Sequence, residues 1–466
     1  MCSSDLRLVL AIFVPLMDTT EARYGEMARK MVESHDWLVP LHDYSVPYLA
    51  KPPLAFWFSA AGIALFGANE VGPRILILLA TMGFLVAAFW SVRRWLGVAA
   101  ALVAVLVMAT SLLFFIAAAA VMTDMLLTIS AAVALGAFWE RYRGGNRRAE
   151  FALYVALGLG LLIKGPLAAV LVLGPIALWA FVTGRVVHVW KRFAWIRGGA
   201  LALAIAAPWY VAAELRNPGF LDYFIVGEHL QRFLVPGWTG DLYGRAHDVP
   251  RGGIWLFFLL GAVPWIFVAI PWLVRSRAQV RERLLEHREF VMLWAGAALV
   301  PLLLFTFAGN IIFPYALPAI PASALLLAAL VGGDERVLPR LAGVAIATIF
   351  AVTVAAFAAS PYMETHSQRA VVRAALGRAQ APDAPVYYWQ SRFFSADYYG
   401  GGRVRTVQDA SALARELAAR RDFTLVVPER RRASLPEDIA EHLQAVGTVD
   451  SMELLAPQYP AEQGSP

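Results

Sequence analysis

Disulfide chemistry is closed to this chain, which holds a single cysteine, Cys2, among its 466 residues. Any part of it outside the cytoplasm must fold without covalent staples. Charge is scarce as well. Only 16% of residues are Asp, Glu, Lys or Arg, where a soluble domain carries about a quarter. The formal charge of +6 does not signal nucleic acid, because the arginines stand beside apolar blocks. His, Cys, Asp and Glu nowhere fall at ligand spacing, so neither a metal nor another cofactor is expected. There is no repeat of solenoid period, nor the paired inverted halves of many transporters.

What is abundant is apolar sequence: 59% of residues are hydrophobic and mean hydropathy is +0.59. The excess comes in blocks near the length that crosses a bilayer as a helix. These lie at 6–17, 71–92, 97–118, 122–140, 151–163, 166–183, 196–213, 253–274, 290–308, 311–332 and 338–360. Basic residues gather in five of the loops: Arg93 and Arg94; Arg141, Arg143, Arg147 and Arg148; Arg185, Lys191, Arg192 and Arg197; Arg275 to Arg288; and Arg336 with Arg340. Cytoplasmic loops carry such an excess. The pattern closes only if the apolar stretch 53–68 lies on the outer membrane surface rather than crossing. The expected fold is therefore an α-helical polytopic membrane protein of about eleven spans, N-terminus inside and C-terminus outside. Residues 1–360 form the membrane domain, with 18–70 as its first outer loop.

The first block is short, and Cys2-Ser3-Ser4-Asp5-Leu6 is also what a translated sequencing adapter reads. The native start is expected to lie further upstream. At the other end, 361–456 reads as a small extracytoplasmic α/β domain. Its strands are expected at Val386–Trp389 and Thr424–Val427, its helices at Ala410–Arg420 and Pro436–Val446, and a disordered tail at 457–466.

Ionisable residues beside membrane spans are costly, so each is a candidate for function. They fall on the side assigned as outside. Asp18, Thr20, Glu21, Arg23 and Tyr24 follow the first block, with Thr20 as cap of a helix to about Ser34 whose apolar face is Tyr24, Met27, Ala28 and Met31. Lys51-Pro52-Pro53 opens the surface helix, where free N–H groups and a lysine suit an anion. Asp124 stands in an apolar context, Lys164 in a tight turn, and Glu228, His229 and Arg232 run together between aromatics. Tyr315 lies near a span end. Taken singly, these are also what helix caps, snorkelling lysines and interfacial aromatics look like.

Their order is more specific. Thr20-Glu21-Ala22-Arg23-Tyr24, Trp37-Leu38-Val39-Pro40, Lys51-Pro52-Pro53-Leu54 with Trp57, Phe66-Gly67 and Arg74 resemble the first outer loop of the lipid A aminoarabinose transferase and protein O-mannosyltransferase families. Thr123-Asp124-Met125-Leu126-Leu127, Lys164-Gly165-Pro166, Pro208-Trp209-Tyr210, Glu228-His229-Leu230-Gln231-Arg232-Phe233 and Tyr315-Ala316-Leu317-Pro318 follow in the same order as in those families. The resemblance covers residues 6–335 and implies a GT-C fold whose outer face takes a sugar from undecaprenyl phosphate. The sugar would be 4-amino-4-deoxy-L-arabinose or a related pentose or hexose, and lipid A or another glycan or protein the acceptor.

The resemblance further implies inversion at the sugar carbon, with Glu21 (or Asp18, since Thr20 replaces an Asp) and Asp124 as the acidic pair. Lys51 would be the ligand of the carrier phosphate, helped by Arg23 and Tyr315, and Tyr24, Lys164, Glu228, His229 and Arg232 would complete the site. Ile311-Ile312-Phe313 stands where many aminoarabinose transferases have a Lys-Leu-Pro run. A bacterial inner-membrane protein with a periplasmic site is the expectation, and a transporter or flippase of a lipid-linked substrate is the alternative.

Overall fold

The computed structural model describes residues 12–244, 249–332, 337–379, 381–419 and 422–458. The adapter-like start and the expected tail from 459 onward lie outside the described residues. Among the described residues, five helices are long and apolar enough to cross a membrane: Gly72–Leu96, Trp195–Arg216, Arg288–Thr306, Phe313–Val331 and Leu338–Ala358. The pair Gly253–Gly261 and Trp265–Arg275, bent by 90° at its break, is a sixth if it forms one span. Thr123–Tyr142, Arg147–Lys164 and Pro166–Val182 complete the bundle. Outward faces stay apolar: Ile196 is 84% exposed, Phe181 77% and Phe267 72%. Water would not tolerate so many such side chains on one surface, whereas lipid requires them. The chain is a multi-pass membrane protein of helical architecture.

Two expected single spans are broken. The 97–118 block divides into Val98–Thr110 and Leu112–Ala117, with Ser111 extended between them. The 253–274 block bends at Ala262-Val263-Pro264, where proline supplies no N–H to continue the ladder. The two breaks satisfy each other: Leu112 N donates to Val263 O at 2.9 Å, and Trp265 Nε1 donates to Thr110 Oγ1 at 3.1 Å.

The segment expected on the surface is a helix, Leu54–Phe66, packed against the start of Gly72–Leu96. Glycine permits the approach, since a Cβ on Gly62 would sit 2.1 Å from the Gly72 carbonyl oxygen. Thr20 does not cap its helix. The helix Thr20–Ser34 includes it as first residue, and the first turn is held instead by Met17 O, which accepts from Ala22 N at 3.1 Å. The face with Tyr24, Met27, Ala28 and Met31 is buried as its spacing predicts.

The C-terminal unit is a five-stranded sheet. Strands β3 (Val386–Trp389), β4 (Val404–Val407) and β5 (Thr424–Pro428) are parallel, while β6 (Leu443–Val449) and β7 (Met452–Pro457) add antiparallel, in the order β4-β3-β5-β7-β6. The helix expected over Pro436–Val446 is only Glu437–Ala440, because the residues that follow pair with β7. In the first outer loop, β1 (Leu41–Asp43) and β2 (Val46–Pro47) make a small hairpin. The unit sits on that loop. Ser395 N donates to Asp18 Oδ1 at 3.1 Å, Tyr398 OH to Asn69 O at 2.8 Å, and Leu16 N to Tyr399 OH at 2.8 Å.

Candidate active site

Helix Thr123–Tyr142 has Asp124 in its first turn and Arg141 in its last, so its 20 residues separate two ends of the bundle by about 28 Å. At the arginine end, Arg141 pairs with Glu150 at 3.0 Å and Arg185 with Glu289 at 2.9 Å. At the other end, segments far apart in sequence converge on one cavity of about 340 Å³. Lys51, Lys164, Glu228, His229, Arg232 and Tyr315 line it, together with Asn310. Leu167, Val170, Leu230, Phe233, Leu304 and Phe305 form its apolar wall.

Each polar residue is placed by a distinct local device. Lys164 ends one helix and Pro166 begins the next; Gly165 between them has φ +65°, and a Cβ there would lie 2.7 Å from the Phe224 ring. The turn is thus closed tightly over Lys164. Glu228 and His229 lie in a wide-turned π-helix, Asp222–Gln231, a geometry found mostly at functional sites. His229 reaches back with Nδ1 2.7 Å from Phe224 O and Nε2 3.2 Å from Lys164 O, tying this segment to the lysine turn.

The charges are paired. Lys51 Nζ donates to Glu228 Oε2 at 2.8 Å and to Ala50 O at 2.7 Å. Arg232 Nη1 reaches Glu228 at 3.1 Å and Asp241 at 3.2 Å, and Tyr223 OH donates to Glu228 Oε1 at 3.1 Å. Lys164 Nζ donates to Asp124 Oδ1 at 2.6 Å and stands 4.3 Å from the Tyr315 ring centroid. Burial on its own would raise the Glu228 pKa, but Lys51 and then Arg232 draw it down to about 2. For Lys51, burial disfavours the ammonium and Glu228 more than offsets this, leaving its pKa raised. Burial pushes His229 below its ordinary value.

Not every candidate reaches this lining. Glu21 is held by Arg74, which donates to it at 2.9 and 2.6 Å, and accepts from Val121 N at 3.2 Å, three residues before Asp124. Arg23 Nη1 donates to Tyr243 O at 2.9 Å and lies over the Tyr24 and Phe394 rings. Tyr24 packs on Tyr48 and Phe56. Asp18 turns to the C-terminal unit. None of these four lines the cavity, and Asp124 does not line it either, reaching it only through Lys164.

Three residues were not legible as candidates: Tyr223, Asp241 and Tyr243. Tyr243 OH donates to Pro47 O at 2.8 Å and accepts from Leu49 N at 3.0 Å. Asp241 and Tyr243 sit in coil with no periodic pattern, and only the aromatic and Gly density of Trp238–Gly244 could have drawn attention to them. Among the described residues, no three His, Cys, Asp or Glu side chains are grouped to hold a metal.

Comparisons with known proteins follow this geometry. Residues 50–211 match the family profile of dolichyl-phosphate-mannose-protein mannosyltransferase. The chain is 30% identical over 332 residues to the undecaprenyl phosphate-alpha-4-amino-4-deoxy-L-arabinose arabinosyl transferase of Edwardsiella ictaluri, covering 69% of this chain and 57% of that protein. It is 29% identical over 327 residues to that of Aeromonas hydrophila, covering 68% and 56%. The chain is similar to these transferases over about two thirds of its own length. The match spans a little over half the length of these curated relatives. In fold, the chain is similar to ArnT from Cupriavidus metallidurans bound to undecaprenyl phosphate, with TM-score 0.81 at 19% identity over 100% of this chain and 98% of that one. It is also similar to the apo state of the same protein, with TM-score 0.78 over 97% and 96%. The likeness to these two structures extends through the C-terminal sheet unit, since it takes in nearly the whole of both chains.

Proposed function

We infer that the chain is a glycosyltransferase that takes a sugar from a polyprenyl phosphate at the outer face of the bacterial inner membrane. The observation that carries the reading is the cavity: Lys51, Arg232 and Lys164 stand at one end of the helical bundle beside an apolar wall. A lipid-borne phosphosugar needs that combination, cations for the phosphate and an apolar channel for the first isoprene units. The named activity of the relatives supports the same donor class. The arginine-rich loops at the opposite end support a cytoplasmic assignment for that end, which leaves the cavity and the sheet unit periplasmic.

The phosphate is already a good leaving group, so catalysis rests on stabilising the charge that develops on it. Lys51, with Arg232 behind it, is positioned for that, and Lys164 with Tyr315 borders the sugar. The acceptor oxygen bonds the anomeric carbon while the carbon–oxygen bond to phosphate breaks, its electron pair staying on the phosphate. The three nearby carboxylates are ion-paired, Glu228 with Lys51, Asp241 with Arg232 and Asp124 with Lys164. A site without a free base favours an acceptor that needs no deprotonation, such as a phosphate of lipid A, over a protein hydroxyl. We propose no metal or other cofactor. A transporter or flippase is the competing reading, and the relatives named above are transferases instead.

The test is transfer by the purified protein in detergent, where transport has no meaning. Labelled 4-amino-4-deoxy-L-arabinose on undecaprenyl phosphate is supplied with lipid A, and the product is read by mass. Transfer is expected, and it should vanish in Lys51→Ala and in Asp124→Ala. Full activity in both variants would remove these residues from the site and the reading with them.

A further inference from the structure

Before any substrate arrives, the charges at the cavity are balanced. Lys51, Arg232 and Lys164 face Glu228, Asp241 and Asp124, one carboxylate for each cation. Glu228 is the central member. Its side chain is 1% exposed, and it is held at once by Lys51, Arg232 and Tyr223. Those three contacts hold its carboxylate beside Lys51, on the π-helix Asp222–Gln231. A phosphate at Lys51 therefore meets a fixed negative charge within a few ångströms.

That charge bears unequally on substrate and product. A polyprenyl-phosphate sugar is a phosphodiester with one negative charge. Once the sugar leaves, the electron pair of the broken bond stays on the phosphate, and the resulting monoester carries close to two charges above about pH 6. Lysine and arginine alone would hold the product more tightly than the donor and stall the site. We propose that Glu228 is the resident counter-ion that discriminates by phosphate charge, admitting the singly charged phosphodiester and expelling the doubly charged phosphomonoester. This rests on the reading of the cavity as a phosphosugar site and names the residue that empties it.

The groups facing Glu228 leave its charge unchanged at working pH. Lys51 and Arg232, whose pKa values stay raised beside Glu228 despite burial, remain cationic. Burial raises the pKa of Tyr48, Tyr223 and Tyr243, which keeps them neutral, and burial lowers that of His229, which favours its uncharged ring.

The experiment measures binding of three probes to the full-length protein in detergent: decaprenyl phosphate, its methyl phosphodiester, and decaprenol. In Glu228→Gln, which keeps the size and the contact to Tyr223, decaprenyl phosphate should bind about tenfold tighter or more. The diester should tighten about threefold at most, and decaprenol should not change. Inhibition of transfer by added decaprenyl phosphate should strengthen by the same factor as its binding. Equal or weaker binding of the monoester by the variant would overturn the proposal and leave Glu228 a brace for Lys51. If neither protein prefers the phosphate probes to decaprenol, it is the phosphosugar reading itself that fails.

A measurement on the unmodified protein covers a variant that does not fold. Between pH 5 and pH 8, across the second ionisation of the monoester at about pH 6, its affinity should fall about fivefold or more while that of the diester stays level. A monoester that binds more tightly as it gains charge would overturn the proposal.

Discussion

Lys164 and Asp124 meet at 2.6 Å across 40 residues of sequence, with 7% and 8% of their side chains exposed. Taking two charges out of water is repaid only while they remain together, so removing one partner strands the other. Lys164→Met should therefore cost about 3–5 kcal/mol of stability, read as a large drop in melting temperature in detergent. The paired change Asp124→Asn with Lys164→Gln should recover most of that loss and still transfer no sugar. A single variant that melts with the parent would mean that the pair is not a buried unit.

Tyr243 is the positioning residue sequence reasoning did not reach. Its hydroxyl bridges Pro47 O and Leu49 N, the stretch that delivers Lys51, and its own carbonyl takes Arg23. Tyr243→Phe removes both bonds from a buried site at a cost of about 1–3 kcal/mol. Because the loosened segment carries the phosphate ligand, KM for the lipid-linked donor should rise about fivefold or more with kcat little changed. A variant that lost stability alone, with KM intact, would make Tyr243 structural only.

The helices were legible because lipid enforces a simple pattern: apolar blocks of bilayer length, separated by basic loops. The breaks at Ser111 and at Val263-Pro264 were not, since each is stabilised by a partner from the other, a contact that no local pattern records. The same limit governs the site. Lys51, Lys164, Glu228, His229, Arg232 and Tyr315 stood out as polar residues in apolar settings, and the fold brings them to one cavity. Glu21 stood out for the same reason, but its partner proved to be Arg74, 53 residues on. Glu26, Arg29 and Lys30 lie on the same helix as Tyr24, Met27, Ala28 and Met31. They are 2%, 7% and 2% exposed, because the C-terminal unit covers them.

That unit is latched to the first outer loop through Glu70, which accepts from Arg369 at 2.8 Å and from Arg373 at 3.2 Å. Burial raises the carboxyl pKa, but Arg369 overcomes it, so the net shift is downward and the pair stabilises the ionised form. Glu70→Ala removes the carboxylate that pairs with Arg373 and one of the two beside Arg369 among the described residues. It should weaken docking by about 1–2 kcal/mol and speed limited proteolysis in the connection around residues 359–369. Cleavage at the parental rate would place the strength of the latch elsewhere, in Asp18 with Ser395 and Tyr398 with Asn69.

The same interface contains two groups whose titrations oppose each other. His42, among Tyr48, Tyr243 and Phe394, is lowered to about 4 by burial and then by Arg392, Arg23 and Lys30. A histidine depressed on folding contributes stability above its unfolded pKa of about 6.5, and that stability is lost as pH falls through 4. Asp397 is raised to about 6, chiefly by burial, with Arg392 opposing. A raised carboxyl contributes stability below its unfolded value of about 3.9, and that is lost as pH rises through 6. Over pH 4 to 6.5 the two slopes offset, and the melting temperature of the parent should stay nearly level. Asp397→Asn leaves His42 alone, so melting should fall on acidification, by about 1–2 kcal/mol once the partial exposure of the ring is discounted. His42→Phe should reverse the slope, with melting rising as pH drops from 6.5 to 4. Two variants with the same slope would show that neither group titrates against the hairpin, and that the charge balance at this contact is set by Arg392 with Asp43 instead.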